Sequence, residues 1–139
     1  MKVSFEDAVA ITDLIARYCY YVDFGFADEW ASLFTEDGEM LGLGGDLKGH
    51  QQLRKLPIMA VKTNNGTSRH QLTNLVLDYG VTKDEVRMHC SGLMTRWDNG
   101  GGLINFAEYD SQLVRVDGAW KLKKHVVNLM PARTAPLPL

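Results

Sequence analysis

The second half of this 139-residue sequence is a run of long strand-like segments joined by short turns, and this feature restricts the fold most. The composition and alternation of apolar residues predict four strands, at about residues 68–78, 85–97, 103–116 and 120–129. Asp98-Asn99-Gly100-Gly101 and Asp117-Gly118 separate the last three segments and are strong hairpin turns. The last three strands are therefore expected to pair as antiparallel neighbours.

The first third of the sequence has helical periodicity instead. Ser4 and Asp7 resemble a helix-capping pair, and apolar residues then recur at helical spacing up to Val22. The Asp23-Phe24-Gly25 segment ends this helix, because glycine readily takes a left-handed exit. Further elements are expected as follows: a short helix capped by Asp28, a turn at residues 35–38, a strand at 39–43 and a helix at 50–56 that Pro57 interrupts.

Local helices followed by antiparallel strands are typical of α+β domains. We therefore predict one domain over residues 1–130, a cone-shaped α+β barrel. Its strongly curved, mostly antiparallel sheet would have the N-terminal helices packed across the concave side. Such a sheet leaves a conical hollow, which is a natural ligand site. Residues 131–139 form a proline-rich tail after the domain.

Composition argues against several classes of function. A formal net charge of −2 gives no broad attraction to nucleic acid, and no apolar run has the ~20 residues that a membrane span needs. Cys19 and Cys90 make neither a disulfide framework nor a zinc motif, so a reduced, cytoplasmic protein is expected. The spacing of the four histidines predicts no metal site, and no glycine-rich phosphate loop or dinucleotide motif is present.

His70 and Asp23 are the residues most suited to catalysis. His70 lies at the mouth of the first long strand, where an imidazole facing a cavity could exchange a proton near neutral pH. Asp23, at the end of the first helix, could orient that imidazole. We therefore hypothesise that Asp23 and His70 meet in the hollow. The alternatives are a helix-end turn residue for Asp23 and a hydrogen-bonded structural histidine for His70.

The strand faces suggest further site residues. On the strand at 85–97 the apolar face contains Met88 and Met94 and continues to Arg96, whose guanidinium either enters the hollow or reaches water at the rim. A bulge near Lys123-Lys124 would turn His125 inward, as a pocket residue or a packed structural histidine. On the strand at 103–116 the pattern does not decide between the face with Tyr109 and the face with Phe106.

Alternation also places apolar side chains on the outer face of the sheet, where they would contact water in a monomer. These side chains are Leu75, Leu77, Leu93 and Trp97. A face of this kind predicts a homo-oligomer.

In the order and spacing of several short segments, the sequence resembles the SnoaL-like polyketide cyclase and dehydratase family of the nuclear transport factor two-like superfamily. The resemblance extends from about Phe5 to Met130 and is greatest to the scytalone dehydratase and hexachlorocyclohexane dehydrochlorinase branches. The matching segments are Ile11–Tyr18, Asp23 with Asp28–Phe34 and Asp37, Ser68–His70 with Asn74, and Val116–Leu122.

The resemblance implies a cofactor-free enzyme in which His70 removes a proton and Asp23 orients its ring and stabilises the imidazolium. Three positions differ from the two branches. Arg96 stands near the second pocket histidine of the dehydratase, Tyr109 near its asparagine, and His125 near the late arginine of the dehydrochlorinase. The dehydratase branch implies a trimer, whereas other branches of the superfamily form dimers.

We therefore expect a lyase or isomerase that acts on a small, largely apolar, hydroxylated cyclic or polyketide-like compound. An aldol-type cyclase, a ketosteroid-like isomerase or a non-catalytic binding protein could use the same pocket. The catalytic candidates are His70, Asp23, Arg96, Tyr109 and His125. The substrate-binding candidates are Tyr18, Tyr21, Phe24, Trp30, Leu33, Met88, Met94 and Phe106.

Overall fold

The computed structural model describes residues 1–43 and 45–130, and the tail predicted at 131–139 lies outside the described residues. The helices are α1 (Phe5–Phe24), α2 (Ala27–Ser32), α3 (His50–Leu53) and α4 (Lys55–Thr63). The strands are β1 (Phe34–Leu41), β2 (Leu47–Lys48), β3 (Ser68–Tyr79), β4 (Glu85–Arg96), β5 (Gly102–Val116) and β6 (Ala119–Leu129). Over the described ranges, no helix combines the length and apolarity that crossing a membrane requires.

The six strands form one sheet in the order β2-β1-β6-β5-β4-β3. Neighbouring strands run antiparallel, except that β1 and β6 are parallel. This arrangement confirms the predicted α+β class, with N-terminal helices against a mostly antiparallel curved sheet. The core between the helices and the sheet contains α1 residues such as Ile11 and strand residues such as Met88 and Leu122.

Helix α1 has the predicted bounds, and local chemistry accounts for both ends. The hydroxyl of Ser4 accepts a hydrogen bond from the backbone N–H of Asp7 at 3.2 Å, which caps the first turn. Gly25 has a φ of 76°, and its N–H donates to the carbonyl of Tyr21, which satisfies a carbonyl in the last turn. The buried side of the helix runs from Ile11 through Tyr18 to Asp23.

Two local predictions for the chain before β3 were wrong. Pro57 does not interrupt a helix but lies in the first turn of α4, where the helix needs no intrahelical partner for its nitrogen. The segment predicted as a turn at residues 35–38 belongs to β1. The segment forms an irregularity in the register with β6, between the Phe34–Leu122 and Glu39–Lys124 pairs. Glycine is needed at position 38, because a Cβ there would lie only 2.8 Å from that of Phe34.

Two register shifts decide which strand residues face the core. The first shift is in β6: its residues Lys124 and Leu122 pair with consecutive β5 residues, Gln112 and Leu113. Lys123 is therefore the extra residue of a bulge. This confirms the predicted bulge and turns His125 inward.

In β3 a bulge at Asn74, with a φ of 60°, reverses the alternation of faces. Leu75 and Leu77 consequently pack against the core, and their prediction on the outer face was wrong. The bulge escaped prediction because nothing in the local sequence requires a positive φ at Asn74.

The N-terminal end of α1 is fastened to the sheet by the buried carboxylate of Asp7. Tyr79 donates its hydroxyl to this carboxylate at 2.6 Å, Trp120 donates its indole N–H at 3.0 Å, and Arg115 donates to both oxygens at 3.1 Å. Burial by itself would raise the pKa of Asp7, but these hydrogen bonds and the Arg115 charge lower it overall.

Asp7→Asn is therefore expected to lower the free energy of unfolding at pH 7 by about 1–3 kcal/mol, because buried donors lose a charged acceptor. Since the folded-state pKa is below the unfolded value, this contribution is complete above the unfolded pKa. It is lost as pH falls through the folded pKa. Urea unfolding of both proteins from pH 7 to pH 3 measures the effect, and equal stability at pH 7 would contradict it.

Candidate functional site

A cavity of about 100 Å³ lies between α1, α4 and the inner face of the sheet. Most of its wall is apolar, and four lining residues carry polar groups: Tyr18, His70, Asn105 and Tyr109. The apolar lining residues are Val22, Met40, Leu43, Leu56, Ala60, Met94, Val127 and Leu129. Pockets with this balance hold small, largely apolar molecules through burial and a few oriented hydrogen bonds.

Asp23 and His70 are in direct contact at the wall of this cavity. Oδ1 of Asp23 lies 2.6 Å from Nδ1 of His70, and the two side chains are 5% and 13% exposed. The backbone N–H of His70 also donates to both carboxylate oxygens, at 2.9 and 3.2 Å. The carboxylate therefore holds the strand and the ring together.

This contact sets the tautomer of His70. An ionised carboxylate only accepts hydrogen bonds, so Nδ1 of His70 carries the proton that faces Asp23. Nε2 then has a lone pair, which is the form required of a general base. Of the four histidines, all within the described residues, only His70 lines the cavity.

Tyr18 and Tyr109 supply hydroxyl groups to the same cavity. Burial raises the pKa of both phenols, so both remain protonated at neutral pH and can donate hydrogen bonds. The ring of Tyr109 occupies space left by Gly92, where a Cβ would lie 2.5 Å from the ring atom Cε2. The glycine on β4 thus makes room for the tyrosine on β5.

The structure brings together Tyr18, His70, Met94 and Tyr109 of the predicted site, with Asp23 behind His70. It also decides between the two faces of β5 that the sequence left open. Tyr109 is on the inner face, and Phe106 is on the opposite face, so the prediction of Phe106 as a pocket residue was wrong.

Arg96 does not line the cavity, so its prediction as a catalytic residue was wrong. Its guanidinium donates to both oxygens of Asp98, at 2.6 and 2.9 Å. Asn65 and Thr67 bind Asp98 as well, and the bonds from Arg96 and Asn65 lower the pKa of Asp98 to about 2. Arg96 therefore has its charge partner two residues later, in the hairpin that follows β4.

Three residues on or near α1 were predicted in the pocket wall but lie elsewhere. Tyr21 is off the stripe that faces the cavity, and its hydroxyl accepts a hydrogen bond from Arg17 at 3.3 Å. Phe24 is 50% exposed. Trp30 is fully buried beneath Tyr18, at 5.4 Å between ring centroids, so it supports the wall without forming its surface.

Two further apolar predictions were wrong. Leu33 lines a separate cleft beside Trp120 and Arg115, along the N-terminal part of α1. Met88 has no exposed surface, because the core around β4 closes over it before the cavity begins.

His125 faces inward as predicted, but it has no exposed surface and does not line the cavity. Its ring stacks on Tyr109 at 5.2 Å between centroids and lies 5.1 Å from Tyr18. Nδ1 of His125 is 2.7 Å from the hydroxyl of Ser111, while Nε2 has no hydrogen-bond partner among the described residues. Burial lowers the pKa of His125 to about 3, so it is neutral at neutral pH and supports the two tyrosines from behind.

This lowered pKa predicts a specific acid sensitivity. Between the unfolded pKa and a folded pKa of about 3, only the unfolded chain binds a proton at His125, so stability falls as pH decreases. The loss is about 1.4 kcal/mol per pH unit over that range. Urea unfolding at pH 7, 6 and 5 is expected to show a steeper loss for the wild type than for His125→Gln. Parallel curves would contradict the prediction.

Several cavity residues were not predicted from the sequence. Asn105 shares a face with Tyr109, two pleats away, but the pattern of β5 did not show which face was inward. Leu43, Leu56 and Ala60 come from a loop and from α4, where no periodic pattern pointed to a pocket. Over residues 1–43 and 45–130, no group of three His, Cys, Asp or Glu side chains could hold a metal ion.

The chain matches one known family and shares its fold with several solved structures. The family model that matches residues 3–126 is described as the SnoaL-like domain. Among curated proteins, none matches the chain.

Among solved structures, a Nostoc punctiforme protein of unknown function with a cystatin-like fold is 22% identical, with a TM-score of 0.83, covering 95% of this chain and 97% of its own. A candidate scytalone dehydratase from Novosphingobium aromaticivorans is 24% identical, with a TM-score of 0.78, covering 89% and 84%. A type 2 hexachlorocyclohexane dehydrochlorinase is 24% identical, with a TM-score of 0.76, covering 96% of both chains. At these sequence identities, the similarity to the three structures shows a shared fold alone.

Proposed function

We propose that this chain, which belongs to the SnoaL-like domain family, is a cofactor-free lyase of the dehydratase type. Its substrate would be a small, largely apolar cyclic compound that carries a hydroxyl group and a carbonyl group. The family and the similar structures support a lyase-type or binding role. The choice of a lyase depends on the site itself.

The observation that carries the proposal is the 2.6 Å contact between Asp23 and Nδ1 of His70 at the wall of an apolar cavity. A binding protein has no need of a base oriented by a buried carboxylate. A lyase needs this arrangement, because proton removal from carbon requires a base with a free lone pair and a charge that balances the imidazolium.

The polar groups of the cavity restrict the substrate. Among the described residues that line the cavity there is neither a lysine nor an arginine, so these residues offer no counter-charge to a substrate with a free carboxylate or phosphate. Tyr18, Tyr109 and Asn105 offer neutral donors instead, which suit a carbonyl oxygen and the oxyanion that develops on it.

The proposed reaction is an elimination of water. Nε2 of His70 takes a proton from the carbon next to the carbonyl, and the C–H electron pair moves into an enolate held by the neutral donors. The enolate then re-forms the carbonyl as the new C=C bond forms and the C–O bond of the hydroxyl breaks. The proton on His70 passes to the departing hydroxyl, so the products are an enone and water. Asp23 balances the charge of the imidazolium while it exists.

The compound 3-hydroxycyclohexanone is a suitable probe, because loss of water converts it to 2-cyclohexenone, whose conjugated absorbance is easily followed. The wild-type protein is expected to accelerate the formation of 2-cyclohexenone above the buffer rate. Pre-incubation with cyclohexanol, which has the ring and hydroxyl of the probe but lacks the carbonyl, is expected to inhibit by occupying the cavity. If the probe binds at the His70 imidazole, as chemical-shift changes would show, and no enone forms, the protein is a binder and the lyase proposal is wrong.

The outer face of the sheet supports the further proposal of a homo-oligomer. Val76, Leu93 and Trp97 are 56%, 39% and 61% exposed there, and Ile104 extends the apolar area onto β5. Burial of such a face against a second copy removes apolar area from water. Light scattering at micromolar concentration is expected to give a dimer or trimer mass, and Leu93→Glu is expected to reduce it. A monomeric wild type would contradict this proposal.

A further inference from the structure

The residues beside Asp23 and His70 in the sequence form a contact of their own. Cζ of Arg69 lies 4.5 Å from the centroid of the Phe24 ring, which is a cation–π geometry. Two consecutive residues at the end of α1 thus meet two consecutive residues at the start of β3: Asp23 with His70, and Phe24 with Arg69.

The two contacts lie on opposite sides of the same junction. Successive side chains of a strand point to opposite faces, so Arg69 lies on the face of β3 away from His70. His70 lines the cavity, whereas Phe24 is half exposed. The end of α1 therefore contacts β3 on the cavity side through Asp23 and on the outer side through Phe24.

Arg69 is itself held in place by the backbone. Its Nη1 group donates to the carbonyls of Ser68 at 2.7 Å and Gly66 at 3.1 Å. Within the part of the chain that the structure describes, no carboxylate pairs with Arg69. The guanidinium is thus directed to the loop before β3 and to the Phe24 ring.

Because Phe24 follows Asp23 directly, its contact with Arg69 affects the position of the Asp23 carboxylate. Phe24 is the last residue of α1, and the chain turns away at Gly25 with a left-handed φ of 76°. Helix ends fray, and a displaced last turn would move the Asp23 carboxylate away from Nδ1 of His70. A second contact on the other side of β3 opposes that movement, because the last turn can no longer rotate about the Asp23 hydrogen bonds alone.

We infer that Phe24 and Arg69 are positioning residues that hold the Asp23 carboxylate on Nδ1 of His70. The inference rests on the proposed function for its catalytic meaning. Its physical content, a constraint on one hydrogen bond, can be measured without a substrate.

The experiment follows two protons by NMR in the full-length protein: the imidazole Nδ1 proton of His70, expected far downfield, and the backbone amide proton of His70. Both are donated to Asp23. Phe24→Leu and Arg69→Gln are expected to speed solvent exchange of both protons about 2- to 5-fold, the size of one exposed cation–π contact. Phe24→Trp retains an aromatic face and is expected to restore the wild-type rates.

Phe5→Leu is the matched control, because it makes the same change at the exposed opposite end of α1. Thermal unfolding of each variant separates local from global effects, since global loosening would speed exchange throughout the core. Equal exchange of the two His70 protons in Phe24→Leu, Arg69→Gln and Phe5→Leu would overturn the inference and leave the proposed function untouched. A faster exchange confined to Phe24→Leu and Arg69→Gln supports it, even if 3-hydroxycyclohexanone is not converted.

Discussion

His70→Ala is expected to lower the rate of enone formation by at least about 100-fold, because general acid–base catalysis typically contributes 10²- to 10⁴-fold. The substitution removes the only histidine of the described chain that lines the cavity. The fold should persist, because the backbone N–H of His70 still donates to Asp23. Enone absorbance and thermal unfolding, measured on the same samples, separate lost chemistry from lost structure.

His50→Ala is the matched control, because His50 lies at the start of α3 and its Nε2 is 3.0 Å from the carbonyl of Phe34, away from the cavity. This variant is expected to keep the wild-type rate. A folded His70→Ala protein with near-full activity would show that another group removes the proton.

Asp23→Asn is expected to be almost as damaging, with a rate loss of about 10²- to 10⁴-fold. The neutral amide can present its NH₂ group to Nδ1 of His70, which favours the tautomer with its proton on Nε2. That tautomer has no lone pair directed to the substrate. The amide oxygen can still accept from the backbone N–H of His70, so the junction between α1 and β3 should survive.

The same change at Asp13 provides the control for this variant. Asp13 is on α1, exposed, and paired with Arg17 at 2.7 Å. Asp13→Asn is expected to leave turnover unchanged, because exposed ion pairs contribute little to stability. If Asp23→Asn and Asp13→Asn had the same activity, Asp23 would be a structural residue that only joins the helix to the strand.

The fold could be predicted because strong local signals agreed with one another. The apolar stripe of α1, its Ser4 cap and its Gly25 exit each have a direct physical cause in the sequence. The hairpin turns set the order of the long strands. The inward orientation of His125 followed from the bulge predicted near Lys123-Lys124, since regular alternation would have placed Lys124 on the inner face. The positions of Asp23 at a helix end and His70 at a strand mouth suggested that these residues, 47 positions apart, would pair, and the family resemblance added their roles.

The rest of the cavity wall depended on geometry that the sequence does not display. The bulge at Asn74 exchanged the faces of β3, so Leu75 and Leu77 moved from the outer surface to the core. The inner face of β5 was ambiguous, because both faces mix polar and apolar residues.

Arg96 shows a different limit of sequence reasoning. Its placement after an apolar strand face suggested a buried charge, but the partner was two residues away, at Asp98. Local pairing at a turn removes the need for a distant partner, and alternation alone does not reveal it.

The most direct test of the account is the exchange of the C2 hydrogens of cyclohexanone in heavy water. This ketone has no leaving hydroxyl, so its deuterium uptake reports proton abstraction alone. The wild-type protein is expected to incorporate deuterium at C2 at least about 100-fold faster than His70→Ala. Uptake that is equal in the two proteins, with the ketone bound in the cavity, would contradict the claim that His70, oriented by Asp23, is the base.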